Sequence, residues 1–120
     1  MNFEPVEEVK KGETYSTDEQ VVGTWIDGKP IYRKVIYFSS LTSISNTIPN
    51  METVVTLRAM SLSNGGIVWR AINEAYKIDE WCCDIYARVD TGLIAIQPGS
   101  NFAAEHTTAY AIVEYTKTTD

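Results

Sequence analysis

The amino-acid sequence predicts an all-β fold, an antiparallel β-sandwich of jelly-roll-like type with about seven short strands. Three observations carry that expectation. Runs rich in β-branched and aromatic residues recur along the chain. Turn signals separate them: Asp27-Gly28, Ser63-Asn64-Gly65-Gly66 and Asp90-Thr91-Gly92. Helical periodicity is nearly absent.

Taken in order, Met1 to Glu19 lacks sustained apolar spacing and reads as an arm or linker, with residues 20–120 forming the domain. Gln20–Ile26 is the first strand. Asp27-Gly28 then turns the chain into Ile31–Phe38, because Asp-Gly between two apolar runs tolerates positive φ. Ser39–Asn50 reads as a Ser/Thr/Asn-rich loop. Val54–Met60 and Ile67–Ala71 flank the Asn-Gly-Gly turn and should pair as a hairpin. Ile72–Trp81 is ambiguous: Ile72, Ala75 and Tyr76 have helical spacing, but no cap is evident, so a loop with one helical turn is expected. Cys83, Ile85, Ala87 and Val89 alternate against Cys82, Asp84, Tyr86 and Arg88, as a strand requires. Leu93–Gln97 is its partner, stopped by Pro98-Gly99. Ser100–His106 reads as a polar loop, and Thr108–Tyr115 closes the domain.

A chain of 120 residues suits one domain. Its net charge is −6, and residues 1–20 hold Glu4, Glu7, Glu8, Glu13, Asp18 and Glu19 against only Lys10 and Lys11. An acidic arm on a nearly balanced body gives no electrostatic footprint for nucleic acid or for an anionic membrane. No apolar run is long enough to span a bilayer, so membrane insertion is not expected. The polar, acidic start does not resemble a signal peptide. Cys82 and Cys83 are neighbours, which disfavours a bridge between them and points to two free thiols in a reducing compartment.

No catalytic set is evident, no cofactor or metal is expected, and the chain reads as non-enzymatic. The lone histidine, His106 beside Glu105, reads as solvated in its loop and lacks further donors at metal-ligand spacing. Ser39, Ser40 and Ser43 sit in no nucleophile motif. Asp79 and Glu80 are loop neighbours, and nothing singles out Asp84 and Asp90 as a hydrolytic pair. Aromatic placement is more informative. Tyr76 and Trp81 lie in the ambiguous stretch and Phe102 lies in another polar loop; with nearby Asn, Asp and Glu they are the candidate platform for a sugar ring. Trp69 and Trp81 also suit the core or a subunit interface, Trp69 the more so because it is on a strand. Val35–Phe38 and Leu93–Ile96 are apolar on both faces, which needs cover from the long Ser39–Asn50 loop or from a neighbouring subunit.

The run Tyr15–Lys34 (YSTDEQVVGTWIDGKPIYRK) closely resembles a stretch near the start of the C-terminal domain of many bacteriophage fibre and tail-appendage proteins, head-fibre and receptor-binding proteins among them. The ending Val113–Asp120 (VEYTKTTD) resembles the terminus of the same domains. The two ends bracket nearly the whole domain, while the middle matches less closely. The resemblance implies a virion component, a β-sandwich at a fibre tip, and a homotrimer. It implies attachment to a host cell-surface glycan, or a structural head-fibre or capsid-decoration role in which the N-terminal arm docks on another virion protein. It brings no catalytic residues. Physically, its residues read as scaffold. Gly23 serves a bulge or close packing, Asp27-Gly28 the turn, and Trp25 and Tyr32 pack across the hairpin. Any binding is then expected in the unfamiliar middle, Ser39 to His106.

Overall fold

A computed structural model describes residues 14–41, 45–72 and 83–120. Among the described residues the chain forms an all-β sandwich of two antiparallel sheets with one short helix. The strands are β1 (Gln20–Thr24), β2 (Pro30–Phe38), β3 (Ser45–Thr47), β4 (Met51–Ser63), β5 (Trp69–Ile72), β6 (Cys83–Arg88), β7 (Leu93–Pro98) and β8 (His106–Lys117), with helix α1 (Ser100–Glu105) before the last strand. The first sheet has the order β1-β2-β8-β4-β5 and the second β3-β7-β6. β2 pairs with β8 in one sheet and β3 with β7 in the other, so consecutive segments from the two ends of the chain wrap together in jelly-roll fashion.

Period-2 alternation explains which residues face the core. On β8, Ala109, Ala111, Val113 and Tyr115 are buried. Ile36 and Phe38 join them from β2, and Ala59 from β4. The second sheet contributes Cys83, Ile85, Ile94 and Ile96. Two inner positions of β8 are small beside large ones of β2, Ala109 opposite Phe38 and Ala111 opposite Ile36, so each large side chain meets a small neighbour.

The β1–β2 hairpin is not the two-residue turn that Asp27-Gly28 suggests. The Trp25 amide donates to the Lys29 carbonyl at 2.8 Å and the Gly28 amide to the Trp25 carbonyl at 3.0 Å, which makes Ile26-Asp27-Gly28 a three-residue loop. Only Gly28 takes positive φ, at 87°, while the Asp27 carboxylate accepts the Lys29 amide at 2.9 Å. This is the type I turn with a left-handed glycine that matches strand twist in such loops. The first strand accordingly ends at Thr24 rather than Ile26. A bulge falls between Val21 and Gly23, with Val22 the extra residue; Gly23 takes no positive φ, and the nearest atom to an added Cβ there, Ile31 Cδ1, is at an ordinary 3.9 Å, so neither backbone conformation nor close packing requires the glycine.

Several expectations need correction. The Ser39–Asn50 loop contains β3, which extends the second sheet at its edge, while Leu41 and Ile48 on either side of it join the core. Ser100–His106 is not a polar loop. Ser100–Glu105 forms α1, following Pro98-Gly99 and held by the buried Phe102. His106 is 3% exposed, not solvated, and its Nδ1 lies 3.0 Å from the Phe102 carbonyl oxygen. Residues 73–82, including the expected helical turn and Cys82, lie outside the described residues.

Residues 14–19 are fastened to the first sheet. The Val35 amide donates to the Ser16 carbonyl at 2.9 Å. The Arg33 guanidinium lies 4.0 Å from the Tyr15 ring centroid and donates to the Thr14 carbonyl at 3.4 Å. This strap covers Arg33, which pairs with Glu114 at 3.9 Å.

At the opposite sheet, Gly92 closes the β6–β7 turn with φ 74°, and its carbonyl accepts the Ile48 amide at 2.7 Å. A Cβ there would overlap the Ile48 carbonyl oxygen and lie 3.0 Å from its carbon. Gly28, also at positive φ, has open space around it. Gly92→Ala should therefore cost about 3 kcal/mol through backbone strain plus collision, and Gly28→Ala about 1 kcal/mol through conformation alone. Urea midpoints of the two variants measure this; equal losses would remove the collision from the account.

Candidate functional site

The outer face of the first sheet is where large side chains are left in solvent. Registers place its positions. Tyr37 stands opposite Tyr110, Tyr110 opposite Met60, and Met60 opposite Ala71, across β2, β8, β4 and β5. The next row holds Thr108, Leu62 and Trp69. Tyr37 is 48% exposed, Tyr110 38% and Trp69 54%. The Tyr37 and Tyr110 ring centroids are 5.0 Å apart, and those of Tyr110 and Trp69 are 6.3 Å apart. Both pairs are tilted, the geometry that ring quadrupoles favour over a face-to-face sandwich. Exposed Val68 and Ile67 continue the apolar surface into the β4–β5 hairpin.

Why three aromatics stay in water follows from alternation. Tyr37 lies between the buried Ile36 and Phe38, and Tyr110 between the buried Ala109 and Ala111. Each must point away from the core. The strap covers the other half of this face around Arg33, so the ring cluster is the part it leaves open. Contiguous apolar surface of this kind marks a binding or assembly site more often than scattered apolar residues do.

The sequence-derived ligand candidates fare differently. Phe102 is 6% exposed and stacks on His106 at a centroid distance of 4.1 Å, so it is a core anchor of α1 and is closed to a ligand in this structure. Tyr76 and Trp81 lie outside the described residues, as do Asp79 and Glu80. Trp69, read as core or interface, is on the open face. Tyr37 and Tyr110 lie outside the middle region in which binding was expected. Their signal was an aromatic at the solvent-side position of a strand whose other face is apolar. Trp25 and Tyr32 do not pair: Trp25 sits opposite Lys29, while Tyr32 stacks on Tyr115 at 6.0 Å and takes the Lys117 ammonium at 4.3 Å from its centroid. Asp84 pairs in register with Gln97 and Asp90 lies beyond the far end of β6, bound to Arg88 at 2.8 Å, so the sheet does not bring these two carboxylates together. Among the described residues no cluster of three His, Cys, Asp or Glu side chains has metal-binding geometry.

A polar latch holds the strap's end. The Tyr115 hydroxyl donates to one Glu19 oxygen and Lys117 Nζ to the other, and the Tyr32 hydroxyl donates to Asp120 at 2.8 Å. Burial raises the Tyr115 phenol, and the Glu19 carboxylate pushes it further up. For Glu19, burial acts upward, but hydrogen bonds from Lys117 and Tyr115 and the charges of Lys117 and Lys34 outweigh it and hold the carboxyl below its usual 4.5.

Comparison with protein-family models, with curated proteins and with solved structures gives no match.

Two outcomes are expected. A carboxyl whose folded pKa lies below the unfolded one stabilises the fold above the unfolded value and loses that contribution as pH falls through the folded one. The difference in urea midpoint between the wild-type chain and Glu19→Gln should thus be constant near neutrality and shrink below pH 4.5. A difference that stays flat into strong acid would exclude an ionic role for the latch. Trp69→Ala, at an open position, should cost under about 1 kcal/mol, against roughly 3–5 kcal/mol for Phe38→Ala in the core. Calorimetry of both variants checks the contrast.

Proposed function

We propose that this chain is a non-enzymatic recognition domain of a bacteriophage virion appendage. In this reading it binds saccharide on the host cell surface through the open face of its first sheet. The observation that carries the reading is the exposed cluster of Tyr37, Tyr110 and Trp69. Sugar rings present C–H faces that stack on aromatic rings, while their hydroxyls need polar neighbours at the margin. Thr108 and the Tyr37 and Tyr110 hydroxyls, none with a partner among the described residues, supply such neighbours. The resemblance of Tyr15–Lys34 and Val113–Asp120 to phage appendage tip domains supports the virion setting.

The same resemblance supports a homotrimer, in an arrangement that leaves the ring cluster facing outward. Tyr37 remains half in solvent within one chain, so the outward side of Val35–Phe38 is left for the ligand and the subunit contacts of the trimer lie elsewhere. Contact with another virion protein belongs to the same proposal.

Binding of the isolated chain to host cells and to a panel of host-surface polysaccharides tests the reading. Tyr110→Ala and Trp69→Ala are expected to lower binding about tenfold each with unchanged secondary structure, a loss on the order of 1 kcal/mol per ring contact. No binding to any host surface, together with tight binding to a capsid protein, would replace recognition by a structural decoration role. Turnover of the polysaccharide would overturn both.

A further inference from the structure

Resting on the saccharide reading above, we infer that the ligand is an acidic saccharide, with carboxylates on its sugar rings, and that Arg58 selects for that charge. Arg58 lies on β4 opposite Ile112, one pair along from Met60 and Tyr110. Arg58, Ala59 and Met60 are in regular register, so Arg58 shares the open face with Tyr110 and stands diagonal to it. Diagonal neighbours across an antiparallel pair are about 7–8 Å apart, within reach of a long side chain. Arg58 is exposed, and its Nη2 donates to the Tyr15 hydroxyl at 3.0 Å. That bond holds the guanidinium at the border between the strap and the ring cluster.

Charge and face together single out this residue: Lys34 and Arg70 also have no carboxylate in ion-pair range among the described residues, but their registers, opposite Val113 and Ser61, put them on the other side of the sheet. Lys29 is paired with Glu52, Arg33 with Glu114, Arg88 with Asp90 and Lys117 with Glu19. Among the described residues no carboxylate pairs with Arg58, although the chain carries a net charge of −6. A guanidinium offers five N–H donors, and Tyr15 takes one. The rest form a planar fork suited to a carboxylate. A neutral sugar stacked on the rings would leave this cation unused. A second copy of the chain is a poorer occupant, because two faces of the same protein would oppose two acidic chains and set one Arg58 against another. An acidic saccharide uses both features at once: its ring faces meet Tyr37, Tyr110 and Trp69, and its carboxylate meets Arg58.

The test compares acidic host-surface polysaccharides with their carboxyl-reduced forms, which keep linkage and ring shape and lose only the charge. Binding of the full chain is measured by calorimetry at low and at moderate salt. The wild-type chain is expected to bind the acidic form about tenfold more tightly than the reduced one, with the preference weakening as salt rises. Arg58→Gln should bring the two forms to one level while retaining the weak binding that the rings provide. Arg58→Lys, which keeps the charge without the fork, should retain part of the preference. Equal binding of both forms by the wild-type chain, with both lost in Tyr110→Ala, would overturn the acidic inference and leave the saccharide reading standing. Binding of neither form would overturn both. Urea midpoints of the variants within error of wild type separate these outcomes from misfolding.

Discussion

The structure depends on β8 sitting between β2 and β4. It is the central strand of the larger sheet, hydrogen-bonded on both sides, and it follows the other described strands in sequence. Its inward side chains, Ala109, Ala111, Val113 and Tyr115, are all buried. Without it the larger sheet divides into the β1–β2 hairpin and the β4–β5 hairpin, and neither has its own core. Pairing of segments this remote in sequence gives cooperative closure at the cost of loop entropy, which must be met before the contacts form. The tail is drawn into the same arrangement, since Tyr115 and Lys117 hold Glu19 and Tyr32 holds Asp120.

This central strand also creates the open face. A strand flanked on both sides must place every second residue away from the core. Here those residues include Tyr110, and the neighbouring strands bring Tyr37 and Trp69 to it. The strap then divides the face. Around Arg33 it supplies Tyr15, Thr14 and Ser16 as partners. Beyond Arg58 it supplies nothing further, and the rings stay in water. The core and the proposed binding surface are thus two sides of one sheet.

Much of the fold was legible because strand physics is local. Alternation in Cys83–Ala87 marked β6 with Cys83 and Ile85 inward, and Asn64-Gly65-Gly66 marked the β4–β5 turn, where Gly66 takes φ 72°. The misses have physical reasons. Ser100–Glu105 looked like loop because it is only six residues long and half polar, with no side-chain cap, yet Ala103 and Ala104 favour helix and burial of Phe102 secures the turn. His106 looked solvated because its sequence neighbours are polar, yet it begins the central strand at an inward position and its ring covers Phe102. The Asp-Gly pair signalled a hairpin correctly, but the loop length was set by the Trp25–Lys29 hydrogen bond.

By itself, the sequence determined the all-β class, most strand positions, the hairpins and which residues of a strand share a side. Each of these follows from a period of two residues or from the backbone preferences of a few turn residues. Only the tertiary structure decided that Tyr37, Tyr110 and Trp69 meet, that Arg58 borders them, and that Phe102 does not reach the surface. Alternation assigns a face within one strand but says nothing about register between strands far apart in the chain, and register is fixed by how the whole core closes.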